Sequence, residues 1–354
     1  MLTPGVVTLA DRRAAICAGM RADGLEALIV ASPGLYLIDE PDPVVHLLGH
    51  RAPGPVVAVL RADGGHTLLP GQDMPAALAG LGLPDAAASV GLDRMPFAVA
   101  DTLTRFAPRG WDTAFYRLSA ARTGGEIAAA RRATDIAEAG YAELLALAGE
   151  AARGHVRECD FAVEINLRMR ALGAEDAFLM LNCLPRAPAV MPSSEREMQP
   201  GDLLLVELSP CVDGQFTQIC RTVSLGEPVP AVRADHALLV RALDAGIAAI
   251  RPGAPVHAIC DAIDGCTAAA GHGAYNRPPH LRRRGHGLGC GSIWPGDIAY
   301  DNAVPLEQDM LFVVHPNQLL PGAGYLMCGT PVRVTADGAE LLGMGNSELG
   351  IVEP

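Results

Sequence analysis

"GDLLLVELSPCVDGQFTQICRTVSLGEP", residues 201–228, is the stretch on which the reading of this chain turns. "GDLLLVELSP" and "GQFTQICRTVSLG" read as a strand pair within a β-rich region, residues 177–225. Working outward, "TGGEIAAARRATDIAEAGYAELLALAGEAARG" precedes it, with Thr123 as a capping residue and Ile127, Ala130, Ile136, Ala137 and Leu144 tracing a helical stripe. A second helix, "ECDFAVEINLRMRALG", ends at Gly173. Beyond the strand pair come two more helical segments, "VRADHALLVRALDAGIAAI" and "PVHAICDAIDGCTAAAG", then short strands in "MLFVVHP", "GYLMCGTPVRVTADG" and "AELL". Helix pair, sheet, helix pair, sheet suggests an internal duplication, with "AGEAARGHVRECDFAVEI" and "AAIRPGAPVHAICDAI" as corresponding segments.

The first part of the chain has another texture. "ADRRAAICAGMRADGLEALIVAS" reads as a helix ending at Gly24 followed by a buried strand, 27–31. "GPVVAVLRADGGHTLLP" reads as a hairpin whose first strand is 56–60, and "DAAASVGLD" and "WDTAFYRLS" complete an alternating unit. The expectation is an α/β (α+β) protein with a small α/β domain at 1–118 and a larger one at 119–354.

Composition narrows the function classes. Net charge is −13, and the longest basic run is "LRRRG", so neither nucleic acid nor an anionic membrane surface is an expected partner. "MLTPGVVTLADRRAAI" lacks the pattern of a signal peptide, and no apolar run approaches the roughly 20 residues that span a bilayer. A cytoplasmic location is expected. Nine cysteines at irregular spacing, with no CxxC, point to small buried residues rather than a disulfide framework or zinc ribbon. All 27 basic residues are arginine. Schiff-base lysine chemistry and a Walker A loop are therefore excluded.

"GGEIAAARRATDIAEAGYAEL", the 201–228 stretch, "IRPGAP", "GHGLG", "DMLFVVHPNQLLPGAGY" and "VRVTADGAELL" occur in an order and at spacings that resemble the creatinase/prolidase/methionine-aminopeptidase superfamily. The resemblance covers nearly the whole chain. It implies a pita-bread catalytic-type domain behind a creatinase-type N-terminal domain, and a homodimer. Active peptidases of that superfamily hold two metal ions with two Asp, one His and two Glu, the ions activating a water. At the matching positions this chain has Glu207, Gln218, His286, His315 and Gly329. A glutamine is a poor bridging ligand and a glycine offers none, so a dimetal centre is not expected. The superfamily's other working histidines also match no histidine here, falling near Val190 or Met191 and near Ile293 or Trp294.

Glu207, His286 and His315 remain, and the fold should bring them to one cavity. Three readings stay open. They are a metal-free acid/base site acting on a C–N or C–C bond of a compact polar substrate; one divalent ion held by two histidines and a carboxylate; and a non-catalytic binding protein. No cofactor beyond that single ion is expected. Candidate substrate-binding residues are Arg221 and Arg333 for a carboxylate, with Gln218, Tyr325, Arg186 and, from a partner's N-terminal domain, His50. Cys220, Cys290 and Cys328 lie beside or near these positions, and Cys290, among glycines, is the first choice for a reactive thiol. His46, Arg51, Asn182, Asp297 and Asp301 rank behind them.

Overall fold

The computed structural model describes residues 7–34, 38–70, 74–345 and 347–354; the opening six residues of the N-terminal stretch quoted above lie outside them. Packing separates two units, Met1–Gly125 with Cys290–Pro295, and Glu126–Gly289 with Gly296–Pro354. The first unit runs α1 (Leu9–Ala22), β1 (Ala27–Ser32), α2 (Pro43–Leu48), β2 (Val56–Arg61), β3 (His66–Pro70), α3 (Met74–Gly80), β4 (Ala87–Val90), α4 (Phe97–Thr104), β5 (Arg109–Gly110), α5 (Asp112–Leu118). Its sheet has the order β3-β2-β1-β4-β5. β2 and β3 form the expected antiparallel hairpin. β1 is buried along its whole length, which is why it reads as an uninterrupted apolar run.

The second unit begins with α6 (Gly124–Arg153), α7 (Glu158–Ala171), β6 (Asp176–Leu184), β7 (Leu203–Val212), β8 (Gln215–Phe216) and β9 (Ile219–Leu225). It repeats the order with α8 (Pro230–Ala248), α9 (His257–Ala269), β10 (Gly285–Gly287), β11 (Leu311–Val314), β12 (Gln318–Leu320), β13 (Gly324–Leu326), β14 (Thr330–Val334), β15 (Ala339–Leu341) and β16 (Gly350–Val352). One sheet is ordered β16-β9-β7-β6 with β8 on β7, another β10-β11-β14-β15, and β12 pairs β13. Among the described residues no helix is long and apolar enough to cross a membrane.

Strand alternation places the site. Leu204, Val206 and Leu208 of β7 join Ile219 and Val223 of β9 in a core against Ala137 and Leu144 of α6 and Phe161 and Ile165 of α7. Successive side chains of a strand point to opposite faces, so Leu205 and Glu207 face away from that core. Leu205 packs with Ala187, Cys220 and Met327 instead. Both faces are therefore covered, and the polar Glu207 interrupts an otherwise buried strand.

Two arginines hold this face together. Arg221 is 1% exposed, and its Nη1 donates to the carbonyls of Cys220 (2.9 Å) and Gly329 (2.5 Å) while its guanidinium lies over the Tyr141 ring. Arg284, fully buried just before β10, donates from Nε to Asp264 Oδ1 (2.9 Å) and from Nη2 to Asn276 Oδ1 (3.0 Å) and Gln318 Oε1 (2.9 Å). Removing the charge of Asp264 leaves a buried cation without its counter-ion. Asp264→Asn is therefore expected to lose roughly 3 kcal/mol in urea unfolding; a loss below about 0.5 kcal/mol, the scale of ordinary surface changes, would contradict the assignment.

Burial also holds His236 of α8 neutral. Its Nε2 donates to Met327 O at 3.3 Å, and desolvation takes its pKa down to about 4. Unfolding returns the ring to about 6.5. Between these values the unfolded chain binds the extra proton, so stability is full above pH 6.5 and falls toward pH 4. His236→Gln should reduce the steepness of that fall by up to one proton, about 1.4 kcal/mol per pH unit. Identical pH slopes for the two proteins would exclude it.

Candidate functional site

Glu207 on β7 stands opposite Cys220 on β9 in the antiparallel register. Cys220 Sγ lies 3.8 Å from Glu207 Oε1 and 3.6 Å from Gln218 Nε2. Burial, then the carboxylate of Glu207, push the Cys220 thiol far above its ordinary pKa. It remains a weak S–H donor beside Glu207 and not a thiolate nucleophile. Tyr325, after the β12–β13 turn, packs on the same cluster. Burial and Glu207 together raise its pKa, so its hydroxyl also stays protonated.

His286 sits in the middle of the three-residue β10, opposite Val313 of β11, and is 1% exposed. Its Nδ1 is 2.9 Å from Gly287 O and its Nε2 is 2.9 Å from Gln218 Oε1. A backbone carbonyl only accepts, so Nδ1 carries hydrogen. With the amide oxygen toward the ring, Nε2 donates as well and His286 is an imidazolium. Turning the amide over gives a neutral ring that accepts from Gln218, and the amide orientation is thereby tied to the proton count. The neighbouring Gly285 has φ 138 and a Cβ there would meet Val313 O at 2.1 Å, so only glycine lets this short strand pair.

His315 follows β11, its ring 5.9 Å from that of His286 and nearly perpendicular to it. Burial first, then the positive potential of His286 and Arg283, keep its pKa well below 6.5. It is a neutral imidazole at physiological pH, and its buried Nδ1 has no hydrogen-bond partner. Gly329 explains how it fits. A Cβ at 329 would lie 2.6 Å from His315 Cβ and 3.2 Å from Cys220 Cβ, so a side chain there competes with His315 for the same space. Asn317 was not anticipated. Buried at 2% exposure, it accepts from Cys328 N at 3.1 Å and its side chain also hydrogen-bonds Cys220. Only its place two residues after His315, in "HPN", signals it in the sequence.

The second unit thus gathers Glu207, Gln218, Cys220, His286, His315 and Tyr325. Other expected residues are placed differently. Arg221 spends its Nη1 on backbone carbonyls, as described above, rather than on the pocket. Arg333 is paired with Asp309 (2.5 Å) and Glu340 (3.2 Å) along β14 and β15. Arg186 donates to Pro321 O at 2.7 Å. Cys328 is fully buried, and burial raises its thiol pKa. Cys290 belongs to the first unit, where it packs with Trp111 and Phe115 and its Sγ donates to Asp42 O at 3.3 Å. His46 is also there, its Nε2 bound to Ser119 Oγ at 2.9 Å, and His50 and Arg51 follow α2 in the same unit. Asn182 accepts from Met191 N at 2.8 Å. Asp297 accepts from Arg283 at 3.1 Å, and Asp301 is exposed.

These donors do not fit a pair of metal ions. Gln218 carries a neutral amide that is engaged with His286, and Gly329 has no side chain. Among the described residues no three His, Cys, Asp or Glu side chains gather into a set able to hold an ion, Glu207, His286 and His315 included.

The chain resembles known proteins along most of its length. A "Probable dipeptidase PepE" of Mycobacterium tuberculosis is 31% identical over 185 residues, 51% of this chain and 48% of that protein. The chain spans about half the length of the curated relatives it matches. Its fold is that of the dipeptidase PepE from Mycobacterium ulcerans (24% identical, 98% of both chains, TM-score 0.78). It is equally that of a recombinant prolidase from Thermococcus sibiricus (20% identical, 98% of this chain and 100% of the other, TM-score 0.81). Both carry the pita-bread architecture that the α-α-β repeat of the second unit predicts. Residues 128–336, which take in Glu207, Gln218, His286, His315 and Gly329, match metallopeptidase family M24, and the chain belongs to that family.

Proposed function

We propose that this protein is a small-molecule enzyme on the M24 scaffold that works without the two-metal centre, by acid/base chemistry at a C–N or C–C bond of a compact polar substrate. The observation that carries the reading is the direct contact of His286 Nε2 with Gln218 Oε1 at 2.9 Å. The imidazole nitrogen turned toward the site is occupied by a side chain of the protein itself. Glu207, the one carboxylate in the cluster, is the group to take a proton or to bind a cationic part of the substrate. His315, neutral with Nδ1 unpartnered, offers that nitrogen for a hydrogen bond to the substrate, and His286 stabilises negative charge developing beside it. Cys220 and Tyr325, both held protonated, are donors around the same carboxylate. The relatives named as dipeptidases make short peptides and their amides the first substrates to try.

The test combines metal analysis with turnover. Protein purified without chelators should carry less than one bound transition-metal ion per chain, and EDTA should leave turnover of the best substrate unchanged. Glu207→Gln keeps the shape of the side chain and is expected to lower kcat by about 100-fold or more. Stoichiometric metal with EDTA-sensitive turnover would replace this reading by the single-ion one. Absence of turnover on amides, amidines and dipeptides, in a protein that still binds one of them, would mark a binding protein.

A further inference from the structure

Two loop segments of the second unit, 276–284 and 296–304, lie on either side of β10 in the sequence, and together they line a surface pocket of about 480 Å³. That volume is within the range of small-molecule sites. None of the lining residues belongs to the cluster around Glu207. One wall is braced from several directions. Asn302 Nδ2 donates to Asp297 O at 2.8 Å, its Oδ1 accepts from Val304 N at 3.1 Å, and its backbone N–H closes a turn on Ala299 O at 3.2 Å. The start of α9 is tied to the same turn, His257 N donating to Asn302 O at 2.8 Å. Tyr300 stands on that turn, half exposed, with the Arg277 guanidinium 4.7 Å from its ring centre, and Arg277 is itself held by Asp264. A ring held by a fixed cation is a preformed aromatic wall. Pro278 and Ala299 extend it with further apolar surface.

Two charged side chains on the lining are not used by the fold. Arg282 is 88% exposed, and its one ion contact among the described residues is Nε to Asp297 at 3.6 Å, so Nη1 and Nη2 are unspent donors. Asp301 is exposed and has neither a hydrogen bond nor an ion pair among the described residues. The two line one pocket without pairing with each other. A simple anion would leave Asp301 facing like charge, and a simple cation would do the same to Arg282. We propose that this pocket is a binding site for a zwitterionic α-amino acid with an apolar side chain. The carboxylate accepts from both Nη groups of Arg282, whose planar fork matches two carboxylate oxygens. The ammonium group donates to Asp301, and the side chain lies on Tyr300 and Pro278. This is a second site, and it does not depend on the chemistry assigned to Glu207.

Binding of L-leucine to the full chain, followed by isothermal titration calorimetry and by saturation-transfer NMR, tests it directly. Saturable binding is expected with L-leucine. L-leucinamide, which lacks the carboxylate, and 4-methylpentanoate, which lacks the amine, should bind about 5-fold more weakly or worse at matched ionic strength, since each gives up one charged contact at an exposed site. Arg282→Gln and Asp301→Asn, both at exposed positions, should each weaken L-leucine binding by a similar factor. Glu207→Gln should bind it as the parent does. No binding of L-leucine, equal binding of either half-ligand, or affinity unchanged in either pocket variant would each overturn the assignment. A loss in Glu207→Gln in place of the pocket variants would put the amino acid in the other site and overturn it as well.

Discussion

The second unit depends on a two-bond backbone bridge between Cys220 and Gly329. Cys220 N donates to Gly329 O at 3.2 Å and Gly329 N donates to Cys220 O at 3.0 Å, stitching β9 to the residues before β14. Arg221 then donates to both of those carbonyls, and Thr222 Oγ1 exchanges hydrogen bonds with Met327 O and N. Carbonyls that already accept a backbone bond retain a second lone pair, and a guanidinium can reach two of them at once. The pairing brings Cys220, Gly329 and, through Gly329, His315 within van der Waals reach of one another, and it leaves Glu207 on the neighbouring strand facing them.

The polar cluster built on that bridge is closed by internal contacts. His286 is satisfied at both nitrogens, Cys220 lies between Glu207 and Gln218, and Asn317 ties Cys220 to the backbone of Cys328. His315 differs, being buried and neutral with one nitrogen unpartnered. In a low-dielectric setting an unsatisfied nitrogen is expensive to keep, and such atoms are where a substrate gains most by binding.

Much of the fold was legible because period and order survive in the sequence. The apolar stripe of α6, the strand pair β7–β9 around Glu207 and the repeated α-α-β order could be read from residue types alone. β12 and β16 could not, since three residues carry no period and β16 is defined by its parallel pairing with β9. Site residues divide along the same line. His286 was marked by flanking glycines that its strand pairing requires. The role of Gln218 was hidden, because only the folded chain brings its amide to His286. Arg333 and Arg186 show the opposite case: an arginine's charge is visible in sequence, whereas the partners that engage it, Asp309, Glu340 and the Pro321 carbonyl, are fixed by tertiary structure. Cys290 fell to another unit because the chain from 290 to 295 leaves the sheet that holds His286.

The contact between Gly329 and His315 makes the space open to one position depend on the other. Any residue larger than glycine at 329 places its first carbon 2.6 Å from His315 Cβ, against a strand that is itself locked to Cys220. A single substitution toward an acidic residue at 329 therefore meets a crowded backbone before its carboxylate can be of use. A side chain at 329 is therefore accommodated only if His315 or the strand that carries it shifts as well.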